Sequence, residues 1–142
     1  MNRNDMLMFI NANPACCLAT VENDRPRVRG MLLYRADEKG LVFHTGDYKD
    51  LYRQVLENPY AEACFTSPDG GIQIRVSGKM EIVEDLDLKK EIVEARDFLR
   101  AWVYENGFEK LKVLRLGECT ATLWTFERNF APKEYVTLTD AP

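Results

Sequence analysis

The chain has 142 residues, with 19 Lys and Arg against 23 Asp and Glu, one histidine, four cysteines and a formal net charge of −4. That length suits one domain, residues 1–142, burying roughly 70% of the surface its unfolded chain exposes. No apolar run approaches the ~20 residues of a membrane span, the acidic balance disfavours a broad nucleic-acid surface, and a lone His44 excludes metal sites built on several imidazoles.

The opening MNRNDMLMFINANP lacks a basic segment leading into a continuous apolar stretch, so no secretory signal is expected and a cytoplasmic location is. It reads as an amphipathic helix capped by Asn4, with Met6, Phe9 and Ile10 on one face and Asn13-Pro14 as the stop. A strand follows over 15–22, and Asn23-Asp24 turns it into a second strand over 26–36. Cys16 and Cys17, on opposite faces of the first strand, read as small packing residues, and no CxxC pair exists for zinc or dithiol chemistry. Met31-Leu32-Leu33 makes the second strand apolar on both faces, which predicts cover from both sides. DEKG at 37–40 turns the chain into a strand over 41–45. A helix is expected over 47–57, capped by Asp47, stopped by Asn58-Pro59, with Leu51, Val55 and Leu56 inward.

Strands at 60–67 and 72–84 flank the turn Pro68–Gly71. In the longer one, Gln73, Arg75, Ser77 and Lys79 alternate with Ile72, Ile74, Val76, Met80 and Ile82, giving one wet and one apolar face. The longest helix is expected over 86–105, with Gly107 beyond its end, followed by strands at 111–116 and 119–127. Six to seven strands joined mostly by hairpins, with marginal helices, predict a mainly β antiparallel barrel.

Chemistry concentrates at Thr45-Gly46-Asp47-Tyr48-Lys49, where a strand meets a helix start. Unpaired N–H groups there attract anions. A lysine in the first turn opposes the helix dipole unless an anion such as phosphate sits nearby; the plainer reading is a capped helix with a solvated lysine. Arg27 and Arg29 share one strand face, as surface arginines or as forked donors to a phosphate or ring carbonyl. Gln73 can donate and accept at once. His44 reads as a packed imidazole or as an acid/base group.

The run RGMLLYRADEKGLVFHTGDYKDLYRQVLENP (29–59), followed by QIRVSGKMEIV (73–83), resembles the pyridoxamine 5′-phosphate oxidase-like, FMN-binding split-barrel family. The likeness rests on an arginine opening a hydrophobic strand, the DEKG turn, the VFHT strand end, a basic helix start, a helix ending in NP and a Gln-x-x-Val-x-Gly-Lys strand, all in that order. It covers residues 5–85 well and 86–130 by general pattern. The resemblance implies a split barrel and FMN as cofactor. It also implies flavin contacts from Arg29, Gly30, Met31, Leu32 and Gln73, with His44 and Thr45 following and Lys49 on the phosphate; Arg27 joins them as a second arginine near the flavin. Homodimers with FMN at the subunit interface are implied too, and Trp102, Tyr104, Trp124 and Phe126 would suit that interface.

Two departures matter. The vitamin-forming oxidases end the RGMLL-type strand in a substrate-touching lysine, whereas this chain has Tyr34, and FERNFAPKEYVTLTDAP lacks their Arg-Leu-His motif. The chain thus looks closer to the short, general-stress-type branch than to a true pyridoxamine-phosphate oxidase. An FMN-dependent oxidoreductase is expected, exchanging electrons with NAD(P)H or a small acceptor. The alternatives are a non-enzymatic module holding a flavin, another phosphorylated ligand or a tetrapyrrole, and a ligand-free structural dimer. Metal and nucleic acid have no part in any of them.

Overall fold

The computed structural model describes residues 1–141. Helix α1 (Arg3–Ala12) is capped by Asn2, whose side chain accepts from the Asp5 N–H while the Asp5 carboxylate accepts from the Asn2 N–H. The cap lies two residues before the expected Asn4 because three residues beyond Asn2 stands a carboxylate, whereas three beyond Asn4 stands Leu7. Met6 and Ile10 are buried at helical spacing.

Strands β1 (Ala15–Glu22) and β2 (Arg25–Leu32) form a hairpin whose turn residues Asn23 and Asp24 adopt φ of 50° and 61°, matching the left-handed pair of a type I′ turn. The strand expected over 26–36 is broken. Leu33 N–H still donates to Pro14 O beside β1, but Tyr34 N–H donates to Val42 O. The chain therefore changes sides within two residues, and a short β3 (Arg35–Asp37) pairs with β4 (Gly40–Gly46).

With β5 (Tyr60–Thr66), β6 (Ile72–Val83), β7 (Leu111–Thr125) and β8 (Tyr135–Thr137), the antiparallel sheet runs β2-β1-β5-β6-β7-β4-β3, with β8 beside β7. Its two ends, β2 and β3, are consecutive in the chain, so Leu33–Tyr34 close the sheet into a barrel. Closure stops there. Beside β3, β4 is paired only over 40–42, and among the described residues β2 has no strand neighbour beyond β1. The free edges of β2 and of β4 beyond residue 42 stand apart and leave the barrel split. Inside it, Leu18, Leu33, Leu41, Phe43, Phe65, Ile74, Leu114 and Leu116 are fully buried, each side chain contributing about 1.5–3 kcal/mol by leaving water.

Three further expectations are corrected. Helix α2 (Asp50–Glu57) starts later than 47 and its N-cap is Lys49, because the Asp47 N–H extends the β4–β7 ladder by donating to Lys110 O. On its inner face Gln54 joins Leu51 and Val55, while Leu56 is 58% exposed. The helix expected over 86–105 divides into α3 (Leu86–Ala95) and α4 (Phe98–Asn106), and Arg96 at the break bonds across to the β2–β3 crossover. The closing strands are one, β7, with Glu118 at φ 51° beside the register shift between Ser77 and Lys79 on β6. Strand β8 was not foreseen. Cys16 is buried and Cys17 exposed, on opposite faces as expected.

Candidate functional site

A cavity of about 920 Å³ fills the split, near the upper end of the roughly 300–1,000 Å³ of small-molecule sites. Strand β2 supplies one wall through Arg27, Arg29, Gly30 and Met31, and β4 the other through His44, Thr45 and Gly46. The turn before α2 and the helix itself supply Tyr48, Lys49, Leu51 and Gln54, and α4 lines the cavity with Phe98, Leu99 and Trp102. Because the cavity follows a free strand edge, it touches both His44 and Thr45 although they alternate along β4.

Arg29 is built in. Its Nη1 donates to Leu18 O at 3.2 Å and Thr20 Oγ1 at 2.8 Å, and its Nη2 donates to Gln54 Oε1. Thr20 Oγ1 also donates to Gln54 Oε1 at 2.6 Å, and Gln54 Nε2 donates to Glu22 Oε2 at 2.6 Å. Thr20 and Gln54 are each 2% exposed. Burial lowers the Arg29 pKa against the opposing pull of Asp50 and Glu22, and a guanidinium in that setting stays charged. The amide of Gln54 is the main influence holding the Glu22 carboxyl below its usual range, with Arg53 and Arg27 adding to it.

The other cations are differently held. Lys49 Nζ lies 5.6 Å from the Tyr48 ring centroid. Among the described residues, neither Lys49 nor Arg27 has a carboxylate oxygen within the 4.0 Å of an ion pair. His44 Nε2 faces Arg96 Nη1 at 2.6 Å. Burial, reinforced by that guanidinium, pulls the imidazole pKa down to about 4. Tyr48 and Trp102 lie 6.1 Å apart between ring centroids, and His44 and Phe98 6.3 Å.

The structure thus brings together Arg27, Arg29, Gly30, Met31, His44, Thr45 and Lys49. It does not bring Leu32 or Gln73 to this cavity. Strand alternation turns Leu32 to the outer face of the sheet, 45% exposed, and Gln73 lies on β6, separated from β2 by β1 and β5, between Thr66 and Trp124. Sequence reasoning missed Thr20, Gln54 and Arg96, and placed Trp102 at the subunit interface that the resemblance implies. The available signal was Gln54 itself, a polar residue three after Leu51 and one before Val55 on an inward face. Tyr34 lies outside the cavity, its hydroxyl donating to Glu91 at 2.6 Å.

The split sheet and its edge cavity define a class of small β-barrel with a basic pocket. Residues 4–118 match the family model for pyridoxamine 5′-phosphate oxidase, and the chain belongs to that family. It is similar to the pyridoxine/pyridoxamine 5′-phosphate oxidase of Agrobacterium fabrum (strain C58 / ATCC 33970), 39% identical over 77 residues, which is 54% of this chain and 37% of that protein. The matched region thus spans little more than a third of such relatives. Two solved structures share the fold: General Stress Protein 26 from Bacillus anthracis str. Sterne (TM-score 0.74, 19% identity, 96% of this chain and 98% of that one) and a pyridoxamine 5′-phosphate oxidase-related, FMN binding protein from Nostoc punctiforme PCC 73102 (TM-score 0.64, 18% identity, 99% and 96%).

Proposed function

We propose that this chain binds FMN in the split of the barrel and acts as a flavin-dependent oxidoreductase on a small acceptor, with NAD(P)H as a candidate donor. One observation carries the reading: Arg27, Arg29 and Lys49 converge with the start of α2 on a single cavity, and among the described residues neither Arg27 nor Lys49 has a carboxylate within ion-pair distance. Family membership and the Nostoc protein described as FMN binding support it. In this reading Lys49, Thr45 and the first N–H groups of α2 hold the phosphate. Arg29, and Arg27 beside it, face the ring system, and the free edge of β2 offers backbone groups to its polar rim. FMN, when bound, supplies the electron chemistry, while the chain supplies position and charge. Tyr48, with Leu99 and Trp102 of α4, would line the remaining side of the ring's pocket.

We also propose a homodimer. Edge strand β2 leaves Val28 69% and Leu32 45% exposed, and the outer face that carries Leu32 and Gln73 lets a second copy bring both to its partner's flavin. The purified protein should be yellow, or become so on adding FMN, and Lys49→Ala and Arg29→Met should each weaken FMN binding at least tenfold. A folded protein that never takes up FMN refutes the reading. Bound FMN that neither NADH nor NADPH reduces would favour the non-enzymatic module.

A further inference from the structure

We propose that Arg96 is a positioning residue for the cavity: by donating to His44 Nε2, it fixes the imidazole as the Nδ1–H tautomer and leaves that one N–H as a donor facing the bound ligand. A guanidinium has only donors, so a contact of 2.6 Å between Arg96 Nη1 and His44 Nε2 requires a lone pair on Nε2. An imidazolium has none to offer, and the Nε2–H tautomer would set two donors against each other. The proton is therefore on Nδ1. That nitrogen has no hydrogen-bond partner among the described residues and is not one of the buried polar atoms left unsatisfied, so it keeps some exposure, and His44 is among the residues that line the cavity.

Arg96 is itself locked. Its Nη1 also donates to Leu32 O at 3.3 Å and its Nη2 to Leu33 O at 2.6 Å, at the closed end of the split, and its guanidinium lies 5.4 Å from the Tyr34 ring centroid. It occupies the break between α3 and α4, two residues before Phe98, whose ring faces His44. The charged groups around the ring are few. Arg96 comes from the helix break, with Tyr34 and Glu91 behind it. The residue opposite on β7 is Val113, α4 brings Phe98 and Leu99, and the cavity's other charged side chains are Glu22, Arg27, Arg29, Lys49 and Asp50. Burial and the Arg96 charge both oppose protonation, so the donor persists unchanged from neutral pH down toward 4. His44 is then a fixed donor, not a proton shuttle. Its counterpart is an acceptor, a carbonyl oxygen or ring nitrogen, and the cation behind the ring favours a ligand bearing negative charge there. This ligand role rests on the cofactor reading above; the tautomer does not.

As His44 is the only histidine, ring nitrogens of uniformly 15N-labelled protein can be assigned without ambiguity by long-range proton–nitrogen correlation. The ligand-free protein at pH 7 should show a pyrrole-like Nδ1, a pyridine-like Nε2 and a titration midpoint near 4. In Arg96→Met the two nitrogens should move toward a tautomeric mixture and the midpoint should rise by about one pH unit as the neighbouring cation is removed. An Nε2–H tautomer in the unsubstituted protein overturns the proposal without any variant, so a poorly folding Arg96→Met does not shield it. FMN is the ligand probe: saturation should shift the Nδ1 proton, and binding that leaves it unmoved overturns the ligand role. Failure of FMN to bind refutes the cofactor reading alone, since the ligand-free spectrum already decides what Arg96 does.

Discussion

Replacing Gln54 by Leu tests whether the cavity's arginine is held by a network rather than by chance proximity. The substitution keeps the bulk of the side chain on the inner face of α2 but removes three hydrogen bonds, those from Thr20 and Arg29 and the one to Glu22. Thr20, 2% exposed, loses the acceptor for its hydroxyl, and a stranded buried hydroxyl costs about 1–3 kcal/mol. Arg29 retains Leu18 O and Thr20 Oγ1, so its loss is one charge-assisted bond, about 1.5–3 kcal/mol, while Glu22 keeps Arg53 at 3.4 Å and water in place of the amide and adds little. The buried leucine beside Leu51 and Val55 returns about 1–2 kcal/mol. The net expectation is about 2–3 kcal/mol of destabilisation, read in urea as a midpoint lower by about 1 M with an unchanged slope, given m-values of about 1–3 kcal/mol/M. Gln54→Glu should keep both acceptor roles yet set a carboxylate against Glu22, so it should be more harmful at pH 7 than at pH 5. A Gln54→Leu protein within about 0.5 kcal/mol of the original, the range of an ordinary surface change, would refute the network as the support of Arg29.

Three other outcomes are expected. His44 titrates near 4 when folded against an ordinary 6.5, so between those values the unfolded chain binds a proton the native protein does not. Stability should be complete above pH 6.5 and fall toward pH 4 by about 3 kcal/mol in all. His44→Asn should flatten denaturation midpoints between pH 7 and 5, above the range where the carboxylates titrate. Gly40→Ala should destabilise by several kcal/mol in the same assay. A Cβ there would stand 2.3 Å from Leu116 O on a backbone at φ +137°, and neither the strand oxygen nor the turn can give way. Gly46→Ala should leave stability nearly unchanged but swing the Tyr48 ring, 2.6 Å from the added carbon, away from Trp102. Its signature is a shift in tryptophan emission that Trp102→Phe abolishes, together with weaker FMN binding.

Much of the framework was legible because it is written in local chemistry. Asn23-Asp24 demanded a left-handed turn, DEKG closed the β3–β4 hairpin, and Asn58-Pro59 and Gly107 ended helices where expected. The alternation of Ile74, Val76 and Met80 assigned the inner face of β6. Breaks caused by distant partners were not legible. Nothing in the periodicity of 86–105 signals that Arg96 leaves the helix to bond Leu32 O, Leu33 O and His44. Likewise, nothing within 26–36 shows that Leu33 and Tyr34 belong to opposite edges of the sheet.

The same division holds at the candidate site. Arg27, Arg29 and Lys49 were identifiable from residue type and their place on a strand and a helix start, and a net charge of −4 did not hide them. That they meet was decided by the tertiary structure. Closure at Leu33–Tyr34 brings the β2 edge opposite the β4 edge, and α2 and α4 wall the gap between them. Periodicity specifies which face of an element is apolar; it carries no information about which two free edges a closing sheet will bring face to face. The roles of Thr20, Gln54 and Arg96 depend on bonds spanning 9 to 64 residues, distances over which only the folded chain sets the geometry.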